Sequence, residues 1–461
     1  MSGKRELEDR INFAQADVLE KIKQHKVEFI YFQFSDIQGN LRSSGYAADA
    51  EELKSAFKKG RAFDGSSVLG LGRTAESDKY LIPDPETFHI IHFFDTGGNL
   101  TNKMAWITGD IYDAEGSIYE GDPRHVLKKA MADARKRGFR FFVAPEIEYF
   151  LFKKDQHGNL IFPLMPADKA GYFSSHSLDS TFLLRQSMAK TMRECGFKIE
   201  AIHHEVSPGQ NEIGFQYDDA LKTAERILLY KYIVTSVADS NNLKASFMAK
   251  PIIGQNGSGM HIHENLVDLN GKNLFYDPKS RQFNLSELAL SFIAGQLEHA
   301  KALCAVTSPT VNSYKRLIPN YEAPVNICWG RLNRSAAIRV PSCRSGEEKN
   351  IRVELRWADP GCEPNTLFSA LYYAGLDGID RKLKPSNPVS DNTYDLSPEE
   401  LKNMGIEFLP YSLSNALEYL KKDEVIINSL GGVYPSFIKA KEREIVKYQR
   451  QITPVEYELY L

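Results

Sequence analysis

Charged side chains occupy every second position inside several otherwise apolar stretches of this chain. In the stretch IRVELRW, residues 351–357, the charged positions are Arg352, Glu354 and Arg356, and the other positions are apolar. A period of two is typical of a β-strand with one face on a hydrophobic core. The other face would then hold a carboxylate between two guanidinium groups. That face is either an ordinary solvated sheet surface or part of a site for a highly charged ligand.

Two more stretches bring glutamates together in the same way. In FRFFVAPEIEYFLF, Glu146 and Glu148 lie two residues apart, so a strand projects both side chains to one side. In IHHEVSPGQNEIGF, Glu205 closes one predicted strand and Glu212 opens the next, and the Ser-Pro-Gly between them supplies a turn. These two acids can therefore converge. Solvent-facing carboxylates are the plainer interpretation of each pair taken alone.

The stretch NGSGMHIHEN adds His261 and His263 on one strand face. Burying ionised carboxylates in aromatic-rich strands is costly unless cations accompany them. Five carboxylates and a neutral imidazole suit two divalent ions held mostly by oxygen, and the lack of clustered cysteines argues against structural zinc. The predicted metal ligands are Glu146, Glu148, Glu205, Glu212, His261 and Glu354.

Basic residues cluster after residue 312, and they suggest what the metal ions would act on. Two metal ions beside arginines are typical of phosphoryl transfer, in which the guanidinium groups meet charge on the moving group. The sequence carries neither a P-loop nor a protein-kinase motif set. A solvated basic surface is the alternative for some of these residues, which are Lys315, Arg316, Arg331, Arg334, Arg339, Lys349, Arg352 and Arg356.

Length and charge restrict the class of protein. The chain has 461 residues, which predicts two or more domains, and its net charge of −3 provides no basic field for nucleic acid. No apolar run reaches the roughly 18 residues that a membrane helix needs. Five scattered cysteines without C-x-x-C spacing indicate reduced thiols and a cytoplasmic protein.

The order of predicted elements indicates an α+β chain. A helix is predicted over residues 15–26, followed by two strands joined by a turn at residues 36–40. Asp122 is predicted to cap a helix that Gly138 ends. Further helices are predicted over residues 413–423 and 436–450. The predicted units are an N-terminal extension (1–14), a strand-rich domain (15–113) and a larger mixed domain (121–461).

Seven motifs, taken together and in order, resemble the type I glutamine synthetases. They are FDGSS, PEIEYFLF, HHEVSPGQNEI, NGSGMHIH, NSYKRLIPNYEAPV, NRSAAIRVP and RVELRWADPGC. The resemblance implies an N-terminal β-grasp domain followed by a catalytic domain with a curved antiparallel sheet and surrounding helices. It also implies a homo-oligomer, a dodecamer of two hexameric rings with active sites between subunits.

The resemblance further implies a reaction. ATP would phosphorylate the γ-carboxylate of L-glutamate, and ammonium would displace phosphate from the γ-glutamyl phosphate to give L-glutamine and ADP. Two or three Mg²⁺ or Mn²⁺ ions would serve each site. Arg334 and Arg356 would stabilise the transferred group, Asp64 would deprotonate ammonium, and Glu322 would lie on a lid that excludes water.

Other residues take roles from the same resemblance. The glutamate site would comprise Gly257, Arg316, Glu322 and Arg356. The ATP site would comprise His263, Asn265, Arg339, Lys349 and Arg352. The ammonium site would comprise Asp64, from the adjacent subunit, together with Ser67, Tyr172 and Glu212.

Some positions depart from the family or vary within it. Asn320 stands in the lid where Gly is usual, Asn265 replaces a common Ser, and EPNTLF follows the arginine strand in place of the usual NPYLAF. Tyr394 lies at the position that a family subgroup modifies, although the insertion seen in that subgroup is absent, which favours a bystander tyrosine. Arg73 lies where another subgroup has an arginine involved in glutamine feedback inhibition.

Two alternatives stay open at this point. A γ-glutamyl ligase for methylamine or a polyamine would use the same chemistry, although Asp64 and Tyr172 favour ammonium. A non-catalytic structural or regulatory assembly would be expected to lack metal ligands, and all six are present. A nitrogen-regulatory protein is a possible further partner.

Overall fold

The computed structural model describes residues 2–72, 77–175, 177–319, 321–344 and 346–461, with the backbone alone for residues 2–9. The helices of this part are α1 (Ser2–Gln24), α2 (Ala50–Lys59), α3 (Pro123–Lys136), α4 (Phe182–Glu194), α5 (Ala220–Ser240), α6 (Glu287–Glu298), α7 (Ala300–Thr307), α8 (Pro364–Asp380), α9 (Pro398–Asn403), α10 (Leu413–Leu420), α11 (Glu424–Leu430), α12 (Tyr434–Gln449) and α13 (Pro454–Tyr460).

The strands are β1 (Phe29–Ser35), β2 (Leu41–Ala47), β3 (Arg61–Asp64), β4 (Asp78–Pro83), β5 (His89–Phe94), β6 (Leu100–Asp113), β7 (Phe139–Lys153), β8 (Ile199–His204), β9 (Gln210–Phe215), β10 (Asp218–Asp219), β11 (Leu243–Ser246), β12 (Met260–Asp268), β13 (Asn326–Arg331), β14 (Ala336–Val340), β15 (Val353–Leu355) and β16 (Glu407–Phe408). With the helices they confirm the predicted α+β class.

The first sheet forms the small N-terminal domain. Its strands in the described chain follow the order β2-β1-β6-β4-β3, with β5 also paired to β6, and β1 runs parallel to β6. The predicted turn joins β1 to β2, because the Asp36 carboxylate accepts hydrogen bonds from the backbone N–H groups of Gln38 and Asn40 at 2.9 and 3.0 Å. Helix α2 buries Leu53 and Ala56 against this domain.

The first helix is longer than the sequence pattern predicts. Helix α1 begins at Ser2 rather than near residue 15. Its buried anchors are Val18 and Ile22, one helical turn apart, and they lie inside the predicted range. Residues 4–10, KRELEDR, are charged except for one leucine and include good helix formers, so propensity extends the helix where apolar periodicity gives no signal.

The second sheet forms the frame of the larger domain. Its strands in the described chain follow the order β16-β13-β14-β15-β12-β7-β9-β8, and β10 and β11 also pair with β7. One face of β7 is apolar, where Phe141, Val143 and Ile147 are fully buried. Helices α6 and α8 cover this face through Phe292 and Tyr372, whose rings lie 6.2 and 5.9 Å from that of Phe141. The opposite face carries the charged residues of the alternation.

The other predicted helices are present with altered ends. Asp122 caps α3 by accepting a hydrogen bond from Arg124 N at 3.0 Å, and Gly138 follows the helix with φ +81°, as expected. The helix predicted over residues 413–423 is wrong at its end. It stops at Leu420, and Asp423 caps the next helix by accepting from Ile426 N at 3.1 Å. The helix predicted over residues 436–450 spans Tyr434–Gln449.

No helix among the described residues combines the length and the apolar character required to cross a membrane.

Candidate active site

The register of neighbouring strands sets the predicted site residues opposite one another. Strand β7 faces β12 with Glu146 opposite His261, and β12 faces β15 with His263 opposite Glu354. Strand β7 also faces β9 with Glu148 opposite Glu212. Because directly opposed residues on one sheet face lie about 5 Å apart, the register itself assembles the site.

One group of ligand-type atoms centres on Glu146. Its two carboxylate oxygens lie 3.2 Å from His261 Nδ1 and 2.8 Å from His263 Nε2. His261 Nδ1 also lies 3.9 Å from Glu354 Oε1. Atoms of Glu146, His263 and Glu354 all lie within 4.8 Å of one another, so His263 stands among the metal-ligand candidates as well as the nucleotide candidates.

Glu354 lies between two guanidinium groups, but one of them is not the expected arginine. Its side chain is fully buried and pairs with Arg356 through one oxygen and with Arg339 Nη1 through the other, at 2.6 Å. Arg352 instead donates from Nε to His263 Nδ1 at 3.2 Å. Glu354 therefore lies between Arg356 and Arg339 rather than between Arg352 and Arg356, because β14 pairs with β15 and sets Arg339 opposite Glu354.

The second group of carboxylates converges across the turn between β8 and β9, as expected. The turn is closed by Glu205 N, which donates to Gln210 O at 2.8 Å. Glu148 Oε2 accepts from Gly259 N and from Gln210 Nε2, both at 2.9 Å. Ligand-type atoms of Glu205 and Glu212 lie within 4.8 Å of each other and of His203.

His203 is the residue of this group that the sequence interpretation missed. Its Nε2 lies 2.8 Å from Glu205 Oε1, and its partner across the strands is Glu212. Its ring is nearly perpendicular to those of Tyr172 and Phe173, at centroid distances of 5.8 and 4.9 Å, and those two rings are stacked 4.2 Å apart. The signal was present in the stretch HHE, because a strand places residues 203 and 205 on the same face.

Two carboxylates of the second group, Glu148 and Glu212, carry raised pKa values. Burial, then the neighbouring Glu205 charge, raises the pKa of Glu148 to about 8. Burial and the charges of Glu146, Glu148, Glu205 and Glu354 raise the pKa of Glu212 well above its ordinary value. Too little positive charge lies near these acids to balance their negative charge, so the donor set fits divalent cations. Cation binding would displace the protons that these acids hold near neutral pH.

The first group behaves differently because it has positive neighbours. Burial alone would raise the pKa of Glu146, but the contacts with His263 and His261 hold it well below its usual range. For Glu354 the charges of His263 and Arg356 also outweigh burial and lower its pKa. The two groups therefore differ in charge balance while lying on one sheet face.

Arg316 is buried beneath the site and is fixed by main-chain carbonyl groups. Its Nη1 donates to the carbonyls of Trp357 and Ala358 at 3.0 and 3.1 Å, and its Nη2 donates to that of Arg356 at 3.2 Å. Gly259 leaves room for it, since a Cβ there would lie 2.5 Å from Arg316 Nη2. Gly257 is more crowded still, since a Cβ there would clash with the carbonyl oxygen of Ala249. Its own carbonyl accepts from Gln210 Nε2 at 3.0 Å.

The remaining predicted residues are either exposed or partly buried. Glu322 is exposed with φ +57°, and Arg334 accepts at its carbonyl from Arg356 Nε at 3.2 Å. Lys349 is exposed in a single 3₁₀ turn, and Asn265 lies partly buried on β12. Tyr394 is partly buried. Arg73 and Asn320 lie outside the described residues.

Asp64 and Ser67 belong to the small domain. The Asp64 carboxylate accepts from the hydroxyls of Ser66 and Ser67 at 2.7 and 2.6 Å. The Ser67 hydrogen bond, followed by those of Ser66, lowers the pKa of Asp64 below its ordinary value. The carboxylate is therefore ionised at neutral pH and faces solvent, where another molecule can reach it.

Two family models match this chain. The glutamine synthetase β-Grasp domain matches residues 26–114, and the glutamine synthetase catalytic domain matches residues 120–460. The chain belongs to the glutamine synthetase family. This membership confirms the predicted β-grasp and catalytic domains and the interpretation of the chain as an enzyme.

Similar proteins cover almost the whole chain. The glutamine synthetase of Methanosarcina mazei is 43% identical over 446 residues, covering 96% of this chain and 97% of that protein. The glutamine synthetase of Thermus thermophilus is 42% identical over 458 residues, covering 98% and 99%.

Two solved structures have the same fold as this glutamine synthetase-family chain. The Plasmodium falciparum glutamine synthetase has a TM-score of 0.85 at 25% identity, covering 97% of this chain and 98% of that one. The GmaS/ADP complex has a TM-score of 0.84 at 29% identity, covering 96% and 99%.

Proposed function

We propose that this chain joins ammonium to the γ-carboxylate of L-glutamate at the expense of ATP, giving L-glutamine, ADP and phosphate through γ-glutamyl phosphate. The observation that carries this proposal is the set of carboxylates, imidazoles and arginines that the catalytic-domain sheet aligns on one face. Few reactions need so much opposed charge in one place, and phosphoryl transfer is the foremost of them.

The acids of the sheet are proposed to hold divalent cations. Glu148, Glu205 and Glu212 would hold one ion, and Glu146, His261 and Glu354 would hold another. Ligand-type atoms of His263 lie within 4.8 Å of those of Glu146 and Glu354, and those of His203 within 4.8 Å of those of Glu205 and Glu212. Both histidines therefore extend the candidate donor sets. When bound, Mg²⁺ or Mn²⁺ would offset the carboxylate charge and orient the nucleotide phosphates.

The arginines are proposed to act on the phosphoryl group. Arg339 and Arg356 already point to the site because both pair with Glu354, and Arg334 lies next to them through the contact of its carbonyl with Arg356. Their fixed positive charges would stabilise charge spread over the moving group. His263, Asn265, Lys349 and Arg352 would contact the nucleotide.

Glutamate is proposed to bind between Gly257, Arg316, Glu322 and Arg356. Ammonium would bind among acids and an aromatic ring, at Glu212, Tyr172, Ser67 and Asp64. Asp64 would take a proton from ammonium, because only neutral ammonia has the lone pair that attacks the acyl phosphate. The ionised state of Asp64 suits this task.

The site is proposed to be completed by a neighbouring copy of the chain in a dodecamer of two hexameric rings. Asp64 is exposed, as a residue offered to an adjacent subunit would be. The C-terminal segment leaves an unusual share of apolar surface uncovered, which supports association between copies. Its more than half-exposed apolar residues are Ile452, Val455, Tyr457, Leu459, Tyr460 and Leu461. The five unpaired cysteines suit a cytoplasmic location, and a nitrogen-regulatory protein remains a proposed partner.

Phosphate release tests the reaction. ATP and glutamate are supplied with ammonium, methylamine or a polyamine at equal concentration, each with Mg²⁺ or Mn²⁺ and again after chelation. Ammonium should give the highest rate, and chelation should abolish it. A higher rate with methylamine or the polyamine would overturn the choice of amine, and full activity after chelation would overturn the metal proposal.

Asp64→Ala tests the proton acceptor in the same assay. Ammonium-dependent glutamine formation should fall about 100-fold or more, the usual range for a lost general base, while ATP binding is retained. Asp78→Ala is the matched control, because Asp78 is an exposed aspartate directly opposite Asp64 on the neighbouring strand. Equal rates for the two variants would remove Asp64 from the mechanism.

A further inference from the structure

The hydroxyl of Tyr394 makes one hydrogen bond within the described chain, and this bond places Tyr394 at the base of the lid on which Glu322 is expected to lie. Its hydroxyl donates to the carbonyl oxygen of Ala323 at 2.8 Å. Ala323 is fully buried, and the preceding residue, Glu322, is exposed with φ +57°. The hydrogen bond therefore fixes the main chain at the point where the lid leaves the protein and where a non-glycine residue adopts a left-handed conformation.

The segment that carries Tyr394 is anchored at its other end to the turn that carries Arg334. We define residues 389–395 as the strap. Asn333 Nδ2 donates to the carbonyls of Val389 and Asp391 at 3.0 and 2.9 Å. Thr393 N donates to Ser335 Oγ at 2.9 Å, and Thr393 Oγ1 donates to the Ser335 carbonyl at 3.2 Å. The strap thus joins the lid to the residues on either side of Arg334.

The surroundings of Tyr394 connect it with the reacting groups. Burial raises the pKa of the phenol above its ordinary value, while the nearby charges of Arg356 and Arg316 oppose this shift and that of Glu322 adds to it. The hydroxyl therefore keeps its proton and remains a donor. Its single acceptor in the described chain is a lid carbonyl rather than a side chain, so the bond constrains the main chain directly.

We propose that Tyr394 is a positioning residue that fastens the Glu322 lid to the strap and so holds the lid over the acyl phosphate. This inference rests on the proposed function, which supplies the acyl phosphate. If the lid is released, water can attack the γ-glutamyl phosphate, breaking the bond to phosphate and returning glutamate. ATP would then be consumed without formation of glutamine.

Tyr394→Phe tests the proposal, since it removes one oxygen and keeps the ring. The loss of one hydrogen bond should shift lid closure about three- to tenfold. We expect phosphate released per glutamine to rise clearly above one, the KM for glutamate to increase several-fold, and amide hydrogen exchange across residues 321–325 to speed up by a similar factor. Tyr411→Phe is the matched control because Tyr411 is 80% exposed.

A second variant tests the strap itself. Thr393→Val removes one strap anchor, the bond of its hydroxyl to Ser335, and should change phosphate release and lid exchange in the same direction. A phosphate-to-glutamine ratio of one together with unchanged exchange in Tyr394→Phe would overturn the proposal. Absence of glutamine formation by the unmodified chain would instead overturn the proposed function, and the exchange measurement would still decide whether Tyr394 holds the lid.

Discussion

At the scale of single residues, Glu264 is a carboxylic acid buried in the core behind the site. It lies on β12 next to His263 and is 1% exposed. Both of its carboxylate oxygens accept from Gln296 Nε2, at 3.1 and 2.9 Å, while Gln296 Oε1 is buried and finds no donor among the described residues. Burial raises the pKa of Glu264 to about 8, against 4.5 ordinarily, so the folded chain keeps this carboxyl protonated at neutral pH.

Replacing Glu264 by Gln should stabilise the chain. Between about pH 4.5 and 8, Glu264 is protonated in the folded state and ionised in the unfolded state. The free energy of unfolding of the unmodified chain therefore falls as the pH rises through that range. Glutamine does not titrate, and its amide can donate to Gln296 Oε1. The increase in the free energy of unfolding should be near zero below pH 5 and on the order of 1–3 kcal/mol at pH 7.

Urea unfolding of both chains between pH 5 and 8.5 checks this prediction. Glu418→Gln provides the control, because Glu418 is exposed on α10. A gain for Glu264→Gln that is independent of pH would contradict the assignment of the effect to ionisation. A loss of stability at every pH would show that the acid makes a better partner for Gln296 than an amide does.

At the scale of elements, Gly259, the residue before β12, lies so close to Arg316 that no side chain fits at this position. A Cβ on Gly259 would lie 2.5 Å from Arg316 Nη2 and 3.1 Å from His261 Nε2. The arginine cannot yield freely because its guanidinium donates to three carbonyls. Gly259→Ala should therefore cost about 1–3 kcal/mol of stability and raise the KM for glutamate by displacing Arg316.

Gly214→Ala supplies the comparison on β9, another strand of the same sheet. A Cβ there would meet Ala201 atoms at 3.9–4.0 Å, which is ordinary contact. Thermal unfolding and glutamate titration of the two variants separate crowding at Arg316 from a general effect of alanine. Equal behaviour of the two variants would mean that Arg316 relaxes without loss.

The elements also show what the sequence could and could not foretell. The strands β7, β9, β12 and β15 and their charged faces follow from a period of two, which is a local property. The pairing of Glu354 with Arg339 depends on the register between β14 and β15, which no local pattern specifies. The apolar periodicity predicts one continuous helix over residues 413–423. The break after α10 depends instead on Asp423, which caps α11.

At the scale of the whole molecule, one arginine joins the two domains. Arg124 on α3 is buried and pairs with Asp110 of the small domain, with Asp84 of the same domain at 2.8 Å, and with Glu225 on α5 at 2.7 Å. Burial alone would raise the pKa of Asp110, but Arg124 and Lys128 outweigh it and lower the pKa. The position of the small domain, and of Asp64 with it, therefore depends on a charge network at the junction.

Arg124→Ala should loosen this junction. Removing the guanidinium takes away the ion-pair partner of Glu225 and leaves Asp110 with Lys128 alone, at 2.7 Å. Breaking a buried ion pair typically costs about 3–5 kcal/mol. Calorimetry should show the small domain unfolding before the catalytic domain instead of a single transition. Asp110 has a lowered pKa in the folded chain, so its pairing stabilises the fold above its unfolded pKa and this contribution is lost as the pH falls. The difference in free energy of unfolding between the unmodified chain and Arg124→Ala should therefore become smaller below about pH 4.

Two further variants make the domain prediction decisive. Arg135→Ala on the same helix is the control, since the Arg135 side chain is 64% exposed and lies 3.9 Å from Asp219. Adding Glu225→Gln to Arg124→Ala removes the carboxylate that has lost its ion-pair partner and should restore part of the lost stability. A single transition at unchanged temperature in Arg124→Ala would mean that apolar contacts alone hold the domains together, and the network would then have no share in placing Asp64.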